Sequence, residues 1–154
     1  MHIFLAGIMQ GSHVVATMHD QDYRARLKRL LAEHWPQATV YDPLADHPSS
    51  FDYSRETGRA VFMKHNAMCG RCDLLIAFVP EATMGTAIEM WEAARHNRVV
   101  VTISPLDLNW AVQFCSDLVY ASVESFEQDL ASGALQASIE KVQAEKSHEQ
   151  RSTS

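Results

Sequence analysis

The residue in this chain best placed to do chemistry is a carboxylate about one turn into a helix, behind a glycine and a threonine: Met84-Gly85-Thr86-Ala87-Ile88-Glu89. On a helical wheel the apolar arc runs through Ala93, Met90, Ala94, Ala87, Trp91 and Ile88, and Glu89 falls beside it, on the side of Thr86 and Ala93. The positive end of the helix dipole lies over Gly85 and favours the ionised carboxylate. An ionised, positioned carboxylate is what attack on an anomeric carbon requires. The same position also suits an acidic residue that only improves its helix start.

Other candidates fall at comparable places. Gly7-Ile8-Met9-Gln10-Gly11-Ser12 follows a short apolar run. Gly7 and Gly11 let backbone N–H groups approach a phosphate or sugar, with Met9 and Ser12 on the same loop. A glycine-eased turn is the plainer reading, and the dinucleotide pattern GxGxxG is absent. Asp42 precedes a loop holding His47, and Asn109 lies in Ser104–Trp110. His13 and His19 flank the first loop, while Tyr53 and Trp110 are candidates for stacking on a base. Cys69 and Cys72 form a lone CxxC that precedes a strand instead of following one, and the only other cysteine is Cys115. That is neither a redox motif nor a zinc site, and an odd cysteine count suits a reducing compartment. No spacing assembles a metal site, so neither metal nor cofactor is expected.

The elements that must position these residues alternate. Strands are expected at His2–Ala6, Ala38–Tyr41, Asp73–Val79, Arg98–Ile103 and Leu118–Ala121. Helices are expected at Asp20–Glu33, Ser54–Met68, Thr83–Asn97, Asp107–Cys115 and Ser125–Leu130, with a loop over Ala45–Phe51. Strands that are apolar throughout are buried on both faces. The pattern therefore predicts an α/β fold: a flavodoxin/Rossmann-like, doubly wound, five-stranded parallel sheet in the order 2-1-3-4-5. In such sheets ligands bind outside the carboxyl ends of the strands, where all the candidates above fall. Residues 1–133 read as the domain and 134–154 as a polar tail, helical or frayed.

With 154 residues and a net charge of −6, one globular domain is expected and a nucleic-acid polymer is a poor partner. No apolar run reaches the ~20 residues of a membrane span, and the opening segment reads as a strand instead of a signal peptide. A cytoplasmic location is expected.

Asp73-Leu-Leu-Ile-Ala-Phe-Val-Pro80, Met84-Gly-Thr-Ala-Ile-Glu-Met-Trp-Glu-Ala93 and Val99-Val-Val-Thr-Ile-Ser-Pro105 together resemble the nucleoside 2-deoxyribosyltransferase family, as does Phe4-Leu-Ala-Gly7. The resemblance covers roughly residues 1–116. It implies that Glu89 is the nucleophile on C1′ of the sugar. The first loop is more similar to the 2′-deoxynucleoside 5′-monophosphate N-hydrolase branch. The resemblance further implies an Asp eight residues before Asp73; this chain has His65 there, a proton donor to a leaving base or a helix-surface histidine. It also implies that Asn109 reaches the site of a neighbouring copy, in a homodimer or larger even oligomer. The expected reaction is cleavage of an N-glycosidic bond in a nucleoside or its 5′-monophosphate. Gly7, Gly11 and Ser12 would hold the 5′ end, Gly85 and Thr86 would form the floor, and hydrolysis is favoured over base exchange. The alternatives are a non-catalytic sensor of a nucleotide-derived ligand and, less well supported, a flavodoxin-type redox protein.

Overall fold

Strands apolar along their whole length need cover on both faces, and the computed structural model, which describes residues 1–9 and 18–152, has that form. Five parallel strands, β1 (His2–Gly7), β2 (Thr39–Tyr41), β3 (Leu74–Phe78), β4 (Val99–Ile103) and β5 (Leu118–Tyr120), lie in the order β2-β1-β3-β4-β5. The expected topology is therefore the observed one. Register pairs Gly7 with Phe78 and Phe78 with Ile103, so the carboxyl ends of the three central strands form one edge.

Alternate residues of each strand feed two cores. Ile3, Leu5, Leu74, Ile76, Val99 and Val101 pack under α1 (Asp22–His34), α6 (Val123–Ser132) and α7 (Ala134–Ser152). Phe4, Ala6, Leu75, Ala77 and Val100 pack under α3 (Arg55–Cys69), α4 (Met84–Arg95) and α5 (Trp110–Cys115). Within α7, Leu135 and Ile139 enter the first core. Lys146 on the same helix donates to the Arg98 carbonyl at 2.7 Å and to Asp117 at 2.8 Å.

The segment after β2 differs from the expected loop. Asp42 accepts from Leu44 N at 3.1 Å and Pro43 occupies the first helical position, giving a four-residue helix α2 (Pro43–Asp46). A 3-10 turn follows at Ser50–Asp52. No helix among the described residues is long and apolar enough to cross a membrane.

Candidate active site

Strand order sets where the site can lie. The chain runs from β1 to β2 over one face and returns from β2 to β3 over the other, so α1 and α4 leave neighbouring strand ends on opposite faces. The crevice between β1 and β3 is the topological switch point, where such sheets bind ligands. Helix α4 packs on both strands and carries Glu89 there.

Glu89 is partly buried, and burial pushes its carboxyl up from 4.5 to about 7. Burial thus acts against the ionised form that the helix dipole favours. Desolvation is the larger influence, and Arg24 is the group that pulls the other way. Thr86 and Ala93, flanking Glu89 on its wheel, are buried, whereas Ile88 and Trp91 of the apolar arc are exposed, as is Gly85, with open space above its Cα.

Below the crevice lies a cation that no sequence motif singles out. Arg24 is 3% exposed and faces inward. Its Nε donates to Gln21 at 2.7 Å, Nη1 to the Leu5 carbonyl at 2.9 Å and to Asp42 at 3.1 Å, and Nη2 to the Gly7 carbonyl at 3.1 Å. With four donated bonds already made, it is not presented to a ligand phosphate. Its place was readable: Leu27 and Leu31, three and seven residues on, put it on the buried stripe of α1. Asp42 is equally committed, to Arg24, to Lys28 at 3.0 Å and to the α2 N-terminus.

Tyr23 on α1 was not singled out from the sequence for the site. Its ring stacks on Phe78 with centroids 4.2 Å apart, and its hydroxyl donates to the Ile8 carbonyl at 3.1 Å. Burial pushes that hydroxyl up to about 12, so it stays protonated. A Cβ on Gly7 would collide with the Tyr23 hydroxyl, so the close approach that requires glycine there is to a protein side chain. Met9 holds the foot of the first loop, its carbonyl accepting from His19 N at 2.7 Å. His19 reaches Glu81 at 3.1 Å, linking the loops after β1 and β3. Gly11, Ser12 and His13 lie outside the described residues.

His65 is not a surface histidine. It is buried, with Nε2 3.1 Å from the Tyr41 hydroxyl and its ring 5.2 Å from that of His47. His47 Nδ1 in turn meets the Tyr53 hydroxyl at 2.9 Å, a commitment that accounts for Tyr53 by packing. Burial first, then His47 and Lys64, lower His65 to about 4. It is therefore neutral near pH 7 and carries no imidazolium proton there. His65, Tyr41, His47 and Tyr53 form one cluster of rings beside β2, while the charge acting on Glu89 is Arg24.

Asn109 caps α5, its Oδ1 accepting from Ala111 N at 3.0 Å and Val112 N at 3.4 Å. It borders a cavity of about 470 Å3 between α4 and α5, with Thr83, Met84, Met90 and Leu106 among its walls. Of this wall, Met84 and Ala87 lie on the α4 face turned away from Glu89. Trp110 is exposed, edge-on to Phe114. The two CxxC thiols are buried, and burial pushes Cys72 up to about 11, which makes them inert packing groups.

No protein-family model and no curated protein sequence matches the chain. Solved structures do. A 2-deoxyribosyltransferase from the psychrotolerant bacterium Bacillus psychrosaccharolyticus is 16% identical, with 82% of this chain and 90% of that one covered at a TM-score of 0.63. The Clostridium botulinum CMP N-glycosidase BcmB is 18% identical over 85% of this chain and 99% of its own, at 0.54. A conserved protein from Enterococcus faecalis V583 is 17% identical over 91% and 97%, at 0.53. The chain shares its fold with these proteins.

Proposed function

We propose that this chain is an enzyme that cleaves the N-glycosidic bond of a nucleoside or nucleoside 5′-monophosphate, with Glu89 as the nucleophile. The observation that carries this reading is the position of Glu89: a half-desolvated carboxylate over the β1–β3 switch point, above a fixed cation, in a fold shared with a 2-deoxyribosyltransferase and a CMP N-glycosidase. The ionised Glu89 attacks C1′, the C1′–N bond breaks, and the base departs with the bonding pair and takes up a proton. Water then attacks C1′ of the glycosyl ester, releasing the sugar and restoring the carboxylate. Partial desolvation strengthens the nucleophile, while a value near 7 leaves a large share of it ionised at neutral pH.

In this reading Gly85 and Thr86 line the sugar side, and Gly11 and Ser12 hold the 5′ end, while Gly7, Met9 and Asp42 shape the pocket through the contacts described above. His65 supports the pocket wall from the β2 side. The chain works as a homodimer. Asn109 keeps its amide nitrogen unbonded among the described residues, which suits a donor reaching into a neighbouring copy's site.

The test is to incubate the protein with a panel of nucleosides and their 5′-monophosphates and to measure free base and base exchange. Base release without exchange, faster from monophosphates, supports the hydrolase. Exchange exceeding hydrolysis on free nucleosides moves the chain to transferase chemistry. Tight binding with no release from any substrate supports the sensor reading instead.

A further inference from the structure

The Glu89 crevice lies at the carboxyl ends of the strands, and the opposite edge, where β3 and β4 begin, holds a different arrangement of charge. Leu74 pairs with Val99, so Asp73 and Arg98, one residue earlier, stand at matching positions on neighbouring strands, about 4.8 Å apart in backbone spacing. Opposite charges at that spacing are well placed to pair, yet among the described residues neither forms an ion pair. Each is held by backbone on its own side: the Asp73 carboxylate accepts from His2 N at 2.7 Å, and Arg98 Nε donates to the Gly70 carbonyl at 3.0 Å. One Asp73 oxygen and both terminal Arg98 nitrogens keep no protein partner among the described residues. Both side chains line a cavity of about 410 Å3, whose other wall includes Gln143, Lys146 and Ser147 of α7. Lys146 brings no uncompensated charge, because its ammonium holds Asp117 and the Arg98 carbonyl. His96, also on the wall, donates from Nδ1 to the Glu92 carbonyl at 2.8 Å.

One guanidinium and one carboxylate therefore face the same polar space with donors and acceptor to spare. A guanidinium fork takes a planar carboxylate in two parallel bonds, and a carboxylate oxygen takes an ammonium. A plain anion on Arg98 would be repelled by Asp73, and a plain cation on Asp73 by Arg98. A molecule carrying both charges a few ångströms apart answers both, and the cavity is of a size that holds a small organic ligand. We propose that this cavity binds a small zwitterion of the amino-acid class, its carboxylate on Arg98 and its ammonium on Asp73, with the Gln143 amide meeting polar atoms of its side chain. The site lies at the opposite sheet edge from Glu89 and does not rest on the glycosidic reading. A bound molecule ties the later turns of α7 to the starts of β3 and β4.

The experiment titrates the full-length protein by calorimetry with the standard amino acids one at a time, and with acetate, methylammonium and inorganic phosphate as probes of a single charge type. At least one amino acid is expected to bind with a Kd of about 1 mM or tighter, the strength of two charge-assisted contacts. Acetate and methylammonium should each bind at least about tenfold more weakly. Arg98→Met should weaken the amino acid at least about tenfold, and Arg98→Lys should restore part of the loss. Asp73→Asn keeps an oxygen for the His2 N–H but removes the charge. It should weaken the amino acid and strengthen acetate, a reversal that a merely structural Asp73 would not produce. Gln143→Trp, at an exposed position of α7, should fill the cavity and abolish binding without touching either charge. If Arg98→Met does not fold, Asp73→Asn and Gln143→Trp decide. No amino acid binding tighter than about 10 mM, phosphate binding more tightly than every amino acid, or binding unchanged in both Asp73→Asn and Gln143→Trp overturns the proposal.

Discussion

Two side chains in this molecule titrate in opposite senses over nearly the same range, and neither effect was legible in the sequence. Glu89 is raised from 4.5 to about 7, so the stability it contributes is full below about pH 4.5 and is lost as pH rises towards 7. His65 is lowered from 6.5 to about 4, so its contribution is full above about pH 6.5 and is lost as pH falls towards 4. The slopes oppose each other and nearly cancel in between. Glu89→Gln removes the falling component. The variant's Tm is expected to climb between about pH 4 and 6.5, where the wild type stays nearly flat. At pH 8 the variant should be more stable by up to about 3 kcal/mol, the cost of ionising a desolvated carboxyl. Thermal melts across pH check this without a substrate, and a Tm profile parallel to wild type would show that Glu89 is not desolvated. Such a gain on losing a reactive group is the usual trade between activity and stability. In catalysis the same ionisation predicts a rising limb in kcat/KM near pH 7. Residue types suggested Glu89, but its environment depends on burial and on the charge of Arg24, set by chain crossings that no local pattern encodes.

Elements were more legible than environments. β3 and β4 are continuous apolar runs, and both appear within a residue or two of where the pattern puts them. α4 begins where Gly85 and Thr86 suggest. α2 escaped notice because four residues carry no period, although Asp42 before Pro43 is a helix-start signal. In α7, Leu135 and Ile139 sit one turn apart inside a mostly polar sequence, and that spacing is what docks the helix. The helix-to-strand contact at Gly7 belongs to this scale too. Gly7→Ala should drive Tyr23 off Phe78 and destabilise the protein by about 1–3 kcal/mol, whereas Gly85→Ala, with open space above it, should cost little stability. Chemical denaturation distinguishes the two, and equal losses would contradict the assigned role of Gly7. Asn109→Ala should cost about 1 kcal/mol through the lost α5 cap. A much larger loss of turnover than of stability would be the mark of an additional role across a subunit boundary.

At the scale of the whole molecule, α4, α5 and the segment before α5 leave Met84, Ile88, Trp91, Leu108, Trp110 and Phe114 exposed. A stretch this apolar on a water-facing surface commonly marks an interaction site. It borders Asn109, so assembly through it and completion of a site by a second copy are one expectation. Light scattering at micromolar concentration should give twice the monomer mass, and Trp91→Glu should yield a monomer with little activity. A wild-type monomer would remove Asn109 from the site. Fold class, strand order and the neighbourhood of the crevice could all be read from the sequence, because periodicity and right-handed crossovers leave few topologies. Substrate choice could not, since it depends on side chains brought together from separate segments. The central claim concerns one carboxylate and is tested most directly by one comparison: free base released from the best substrate of the panel by wild-type protein and by Glu89→Gln, each shown to be folded. A loss of about a thousandfold or more in kcat is expected for a nucleophile, and near-normal base release by the folded variant would contradict it.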